Sequence, residues 1–188
     1  MSYLSTLKLT NFRCYSSMRL DDVLDGLIVI YGPNGAGKTN VLEAVSLFSP
    51  GRGLRGAKVS EIQKNDAGQA WGVACDLQTS VGEVKLGTGR DGGNDKRIIR
   101  IQGETAKAQN ALSDYLSCIW LTPQMDRLFL DSSRERRRFL DRLVFAFDPG
   151  HSGRITRYDN AMGQRSKLLK EGRSEPVWLD SLEAQMAH

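Results

Sequence analysis

Residues 32 to 39 read Gly-Pro-Asn-Gly-Ala-Gly-Lys-Thr, which matches the pattern G-x-x-x-x-G-K-[ST] in full. In such a loop the backbone N–H groups surround phosphate oxygens, the lysine reaches the β- and γ-phosphates, and the hydroxyl ligates Mg²⁺. The glycines permit the backbone conformations that turn successive N–H groups inward. We therefore predict a nucleoside triphosphate site with Mg²⁺ on Thr39, formed by Gly32, Pro33, Asn34, Gly35, Ala36, Gly37, Lys38 and Thr39.

This motif has meaning only between a strand and a helix. Leu27 to Tyr31 is a run of consecutive apolar residues, typical of a strand that is buried on both faces in the centre of a sheet. Asn40 to Phe48 repeats apolar residues at helical spacing, and Pro50 and Gly51 end that helix. The loop would then lie at a helix N-terminus, whose free N–H groups and partial positive charge favour phosphate.

The rest of the first two-thirds of the chain has the alternating pattern of strands. Turn residues separate these segments, the clearest turn being at residues 91–94. An antiparallel meander is therefore expected beside the nucleotide loop, with a short helix from Lys58 to Lys64. The predicted strands are Ser5–Asn11, Tyr15–Leu20, Ala70–Thr79, Glu83–Gly89, Lys96–Ile101 and Ser117–Thr122.

From Ser132 the pattern becomes helical. Ser132 and Glu135 have the spacing of a capping box, and an apolar stripe follows at Phe139, Leu140, Leu143, Val144 and Phe147. Further helices are predicted from Ser152 to Lys170 and from Trp178 to Met186. The expected organisation is an ATPase-type lobe over residues 1–125 and the start of a helical lobe over residues 126–188.

Composition excludes several classes of function. The chain has 188 residues, a net charge of +4 and three cysteines with no CxxC pair, which argues against a disulfide framework or a zinc site and fits a reducing cytosol. No apolar run approaches the ~20 residues that span a bilayer, and the N-terminus lacks the regions of a signal peptide. We assign no chemistry to the cysteines or to His151 and His188.

Hydrolysis requires more than the phosphate loop. A neighbouring strand has to supply an acidic Mg²⁺ ligand, and another group has to position the attacking water. The residues on either side of Asp76 do not match the apolar strand expected before such a ligand, and Asp141 falls on a predicted helix. We therefore expect no ATP hydrolysis by this chain alone, and no catalytic residue within it except the candidate Gln124 introduced below.

Several stretches resemble a known family. Leu7-x-Leu9-x-Asn11-Phe12-Arg13 and the run from Gly32 to Ala44 look like the head of an SMC-like, ABC-type ATPase. Leu121–Asp126 and Arg137–Asp141 are similar to the RecF family of recombination mediators, as is the segment from Tyr158 to Lys170. The resemblance implies an α/β fold: a P-loop ABC-type head with a mixed sheet and antiparallel meander, followed by a helical lobe. Family members are longer, and their second half supplies the signature motif and acidic strand, so the fold is incomplete here.

The resemblance also implies a function. Family members are cytoplasmic ATP- and DNA-binding proteins of replication, recombinational gap repair and the SOS response, acting on single-stranded DNA or gapped duplex. They work with RecO and RecR to load a recombinase, and they form homodimers with ATP and Mg²⁺ held between two heads. By position Gln124 matches the Q-loop, and Arg13 lies either near the nucleotide or at a surface strand end.

Two other interpretations remain open at this stage. The chain could be another ABC or SMC-like head, although it has no heptad run, or a nucleotide-binding fragment that does not hydrolyse. The arginines are equally ambiguous, because they suit either a solvated helix with local ion pairs or contact with DNA phosphates. The candidate DNA-binding residues are Arg134, Arg136, Arg137 and Arg138.

Overall fold

The computed structural model describes residues 3–64, 70–91, 96–130, 132–172 and 175–187. The chain divides into two compact units, one up to Pro123 and one from Gln124 onward. No helix among these residues is long and apolar enough to cross a membrane.

The first unit contains a six-stranded sheet in the order β2-β1-β3-β4-β5-β6. All five strand pairs are antiparallel, and a register shift between Leu4 and Thr6 marks an irregularity in β1. The predicted meander is therefore present, and its strands begin and end close to the predicted residues. The strands are β1 (Tyr3–Phe12), β2 (Tyr15–Leu20), β3 (Ala70–Thr79), β4 (Gly82–Asp91), β5 (Ile98–Ile101) and β6 (Glu104–Thr105).

One face of this sheet forms the core. Leu7, Leu9 and Val73 are buried at alternate positions, and the helix α1 (Lys38–Ser46) belongs to the same cluster through Val41 and Ala44. Phe12 and Trp71 meet edge to face with ring centroids 5.8 Å apart. Because side chains alternate along a strand, the opposite face carries the polar positions of the same strands.

Two predicted strands are wrong. Leu27 to Tyr31 is not paired as a strand, and Leu27 and Tyr31 are 93% and 91% exposed. Ser117 to Thr122 likewise forms no ladder in the described part of the chain, although the Cys118 amide donates to the Ser49 hydroxyl at 2.9 Å. Both predictions assumed a neighbouring strand to accept the backbone hydrogen bonds, and neither segment pairs with β2 or β6, the edge strands of the sheet.

Of two smaller predictions in the first unit, one differs from the structure and one lies outside the described residues. The segment predicted as a helix from Lys58 to Lys64 contains only one 3-10 turn, Val59–Glu61. The predicted turn at 91–94 lies outside the described residues after Asp91.

The second unit contains three α-helices in its described residues, α2 (Ser133–Phe145), α3 (His151–Lys170) and α4 (Pro176–Met186). Ala161, Leu168 and Leu182 form a small core where α3 meets α4. The expected capping box is absent, because Ser132 makes no side-chain cap bond and Glu135 binds Arg138 instead. The predicted stripe is also incompletely buried, with Phe147 86% exposed.

Candidate nucleotide-binding site

The glycine loop adopts the conformation that its sequence predicts. Gly32, Gly35 and Gly37 have φ of 146°, 84° and 91°, values that residues with a Cβ rarely adopt. Gly37 directly precedes α1, and its carbonyl accepts from the Asn40 amide at 2.8 Å and the Val41 amide at 3.3 Å. The loop therefore ends at a helix N-terminus, where free N–H groups and the helix dipole favour an anion.

Lys38 folds back over this loop. Its Nζ donates to the carbonyl oxygens of Gly32 at 2.7 Å and Pro33 at 2.8 Å. The ammonium group is therefore held above the loop by two neutral acceptors. A phosphate oxygen is a stronger acceptor for this group than a carbonyl, because the hydrogen bond is then between opposite charges.

The turn between β1 and β2 lies against the loop, a contact that sequence analysis missed. A Cβ added to Gly37 would lie 2.5 Å from the Tyr15 hydroxyl and 2.7 Å from Cys14 Sγ. Asn40 Nδ2 donates to Cys14 Sγ at 3.1 Å, and Tyr15 donates to the Ala36 carbonyl at 3.4 Å. Partial burial raises the pKa of Tyr15. Gly37 is thus required by backbone conformation and by this close packing.

A buried carboxylate anchors α1. Glu43 is 1% exposed and binds Arg13 through two hydrogen bonds, Nε to Oε2 at 2.9 Å and Nη2 to Oε1 at 2.5 Å. Arg55 adds a second ion pair at 3.1 Å. Arg13 also donates to the Glu61 carbonyl at 2.7 Å. Of the two roles left open for Arg13, the structure assigns neither, because its guanidinium is bound to the helix that follows the phosphate loop.

A second arginine holds the other end of α1. Arg97 donates to the carbonyls of Leu47 and Gly51, the latter at 2.8 Å, and to the Thr88 hydroxyl at 2.7 Å. Burial lowers the pKa of Arg97 to about 10. A cation at a helix C-terminus interacts favourably with the exposed carbonyl dipoles. Glu43 carried one available signal in the sequence, because it is a charged residue between the apolar pairs Val41-Leu42 and Ala44-Val45. Arg97 carried no such signal, since Lys96 precedes it.

The arginine cluster of the second unit is mostly engaged locally. Arg138 pairs with Glu135 at 2.7 Å, and Arg137 pairs with Asp141 at 3.8 Å while lying 4.5 Å from the centre of the Tyr158 ring. Arg136 donates to the Phe129 carbonyl at 3.4 Å. Arg134 is exposed, and its side chain has no hydrogen bond or ion pair with the described residues. Gln124 belongs to this second unit and stays a prediction.

Magnesium has one candidate ligand at the loop. Thr39 lies in the first turn of α1 with an exposed side chain, as a hydroxyl that shares a metal with bound phosphates has to be. The residues that the structure describes contain no group of three His, Cys, Asp or Glu side chains able to hold a metal ion. The donor set thus fits an ion bound chiefly through a phosphate ligand and water.

Comparison with known proteins agrees with this site. A family described as the AAA domain matches residues 6–171. The DNA replication and repair protein RecF of Rhizobium leguminosarum bv. trifolii is 50% identical over 187 residues, covering 98% of this chain and 50% of that protein. RecF of Agrobacterium fabrum is 49% identical over 188 residues with the same coverage. The chain spans about half the length of the curated relatives it matches.

Solved structures give the same answer for the fold. A recombination mediator RecF described with ATPrS superimposes with a TM-score of 0.86 at 26% identity, covering 99% of this chain and 50% of that chain. RecF described with ATP gives 0.85 at 27% identity and the same coverage. This chain therefore belongs to the AAA-domain family of P-loop proteins. Within that family it is similar over nearly all of its length to RecF, so the resemblance and the fold class predicted from sequence are confirmed.

Proposed function

We propose that this chain is the ATP-binding part of a RecF-type protein of DNA replication and repair. The observation that carries the proposal is the phosphate loop itself, with three glycines at positive φ directly before the N-terminus of α1. Binding of ATP by RecF structures that superimpose closely supports the same conclusion. The ligands are the backbone N–H groups of the loop residues other than Pro33, which has none, with Lys38 on the β- and γ-phosphates and Thr39 on Mg²⁺.

The chain's own residues account for how such a site binds and orients ATP. Lys38 exchanges the carbonyls of Gly32 and Pro33 for phosphate oxygens, which moves its charge over the γ-phosphate. Arg13 holds α1 through Glu43, and Arg97 holds it through the Leu47 carbonyl. The orientation of α1 is therefore fixed, and so is the direction in which the N–H groups at its N-terminus point. A loop that is positioned before the ligand arrives loses less conformational freedom on binding.

The exposed segment Leu27–Tyr31 supports a composite site. Five consecutive apolar residues lie directly before the loop and are largely open to solvent. In the longer relatives, further strands would cover this segment and supply the missing acidic residue and signature motif. ATP bound between two such heads would then join a homodimer, and hydrolysis would require that assembly together with Gln124.

The remaining parts of the proposal concern partners. A RecF-type protein acts on single-stranded or gapped duplex DNA in the cytoplasm, with RecO and RecR and in the SOS response. The RecF structures are described as belonging to the RecFOR pathway. Of the four candidate arginines, Arg134 is the best placed for a phosphate, because Arg137 and Arg138 already have acidic partners and Arg136 donates to the Phe129 carbonyl.

The direct test is titration of the purified chain with a fluorescent ATP analogue, with and without Mg²⁺. We expect Lys38→Ala to weaken binding at least about tenfold, since a charge-assisted contact to phosphate is lost. Lys107→Ala removes an exposed charge elsewhere in the first unit and is the matched control. Equal affinity for the Lys38 variant and the unmodified chain would reject the proposal.

A hydrolysis assay separates this proposal from that of a complete ATPase. We expect no release of phosphate above background, because the described residues contain no group of three His, Cys, Asp or Glu side chains that could hold a metal ion. Turnover that disappears in Lys38→Ala would show that the chain carries a full catalytic site.

A further inference from the structure

The face of the sheet opposite the core contains a trough. Its floor is formed by small residues on the two central strands, Gly72 and Ala74 on β3 and Gly87 and Gly89 on β4. One wall is β1 and the other is β5. The cavity has a volume of about 390 Å³.

The walls are basic. In one cross-strand row Lys8 pairs with Ala74, Ala74 with Gly87, and Gly87 with Arg100, so a cation stands on each side of the floor. Arg19 of β2 extends the row beyond Lys8 and binds Asp21. The neighbouring row contains Ser17, Thr10, Gly72, Gly89 and Ile98.

These two rows contain no carboxylate. The nearest acids on this face are Asp76, one row beyond Ala74 and opposite Lys85, and Asp91, which lies opposite Ala70 one row beyond Gly72 and lines the same cavity. Lys8 and Arg100 are exposed and have no ion pair or hydrogen bond with any described residue. Their charges are therefore available to a bound anion.

Of the three glycines on the floor, only Gly89 is explained by the fold, because a Cβ there would lie 2.4 Å from the Trp71 carbonyl. Gly72 is not, since a Cβ there has nothing within 4 Å, and at Gly87 the nearest atom is Arg100 Cβ at an ordinary 3.7 Å. Neither residue has a positive φ. Glycine weakens a strand interior, and where the backbone does not require it, it marks close approach by a ligand or another backbone.

We propose that this trough binds one strand of a nucleic acid. A base lies flat on the glycine floor, and the phosphates on either side of it contact Lys8 and Arg100. The backbones of β1 and β5 are three strand spacings apart, about 14 Å, and the wall side chains narrow the opening to a single strand. A nucleic acid strand combines flat apolar faces with regularly spaced anions, which is the combination that the floor and the walls match.

This inference rests on the proposed function for the class of ligand, and it places that ligand on the first unit rather than on the arginines of α2.

The proposal predicts that binding depends on the shape of the trough as well as on its charge. Gly72→Val adds a side chain to the floor and leaves net charge unchanged, and its Cβ has no atom of the chain within 4 Å. Valine also favours strands, so the fold should be kept.

The test measures binding of a fluorescently labelled single-stranded thymidine oligonucleotide to the full 188-residue chain by anisotropy, at several salt concentrations. We expect Gly72→Val to weaken binding about tenfold, because the valine side chain prevents a base from contacting the backbone of the floor. Lys8→Gln and Arg100→Gln should each weaken binding and reduce the salt slope by about 0.7. Lys107→Gln makes the same charge change outside the trough and should leave the affinity nearly unchanged.

Three results would overturn this proposal. The first is an unchanged affinity of Gly72→Val for the oligonucleotide, and the second is an equal loss of affinity in Lys107→Gln and Lys8→Gln. The third is displacement of the oligonucleotide by polyglutamate at equal charge concentration. Ala74→Val, at an exposed strand position on the same floor, replaces Gly72→Val if the latter unfolds.

Titration of the same preparations with the fluorescent ATP analogue separates the two proposals. If the unmodified chain binds ATP and the trough variants bind the oligonucleotide as well as it does, only the trough proposal is rejected. If the unmodified chain does not bind ATP, the proposed function is rejected.

Discussion

Arg13 and Glu43 form a two-bond ion pair between the β1–β2 turn and the helix that follows the phosphate loop. Glu43 is 1% exposed on its side chain and Arg13 18%. Removal of one partner from a buried pair leaves the other charge desolvated, which costs about 3–5 kcal/mol.

We therefore expect Glu43→Gln to lower the free energy of unfolding by about 3 kcal/mol. The variant leaves both Arg13 and Arg55 without their carboxylate. Urea unfolding measures the change. Glu83→Gln is the matched control, because Glu83 is exposed and pairs with Lys85 at 3.7 Å, and surface substitutions usually stay within about 0.5 kcal/mol. Similar losses in the two variants would contradict a special role for the buried pair.

Replacement of the Arg97 guanidinium by another cation should also destabilise the fold. Arg97 uses three separate nitrogens, Nε, Nη1 and Nη2, to donate to Thr88 and to the carbonyls of Gly51 and Leu47. The one ammonium nitrogen of Arg97→Lys cannot occupy these three positions at once. We expect a loss of about 2–3 kcal/mol in the free energy of unfolding, as buried acceptors lose their donor. Arg100→Lys, an exposed residue on β5, is the control and should be nearly neutral. A neutral Arg97→Lys would show that water replaces the lost donors.

Gly37→Ala tests the packing of the phosphate loop. The new Cβ would lie 2.5 Å from the Tyr15 hydroxyl, and φ at this position is 91°. Gly51→Ala introduces a Cβ at the same φ of 91° but with nothing within 4 Å, so it imposes the strain without the collision.

Binding of the fluorescent ATP analogue should fall at least about tenfold in Gly37→Ala, since displacement of the loop misaligns its N–H groups. Gly51→Ala should bind nearly normally, with only the stability cost of a strained φ, about 1–2 kcal/mol. If both variants lose nucleotide equally, the Tyr15 contact is irrelevant to the site.

Cys75 should make stability depend on alkaline pH. Burial, then the charge of Asp76 and the proximity of Cys118, raise the pKa of Cys75 from 9.0 to about 12. Between these values the unfolded chain loses the thiol proton and the folded chain keeps it, so the free energy of unfolding falls as pH rises above 9.

By pH 10 this group alone removes about 1.4 kcal/mol. Cys75→Ala lacks the thiol, so the stability difference between the unmodified chain and the variant should shrink by that amount between pH 7.5 and pH 10. Urea unfolding at both pH values measures it. A difference that is constant with pH would mean that the thiol ionises as readily in the folded chain as in the unfolded one.

Local patterns in the sequence determined most of what depends on near neighbours. The phosphate loop needs only glycines that allow positive φ and a helix after it, and both are encoded within residues 32–46. The antiparallel strands follow from alternation, which reflects one buried and one exposed face. The bounds of β2 and β3 agree with those predicted, because turn residues flank each segment.

Tertiary structure decided what depends on distant partners. Leu27–Tyr31 has the composition of a buried strand, yet burial requires neighbours that the described residues of this chain do not supply. Glu43 meets Arg13 and Arg55 only because two separate segments of the chain converge on α1. The trough between Lys8 and Arg100 exists only through the register of four strands. A sequence fixes which side chains alternate along each strand, but the pairing of strands far apart in the chain determines which of them share a row.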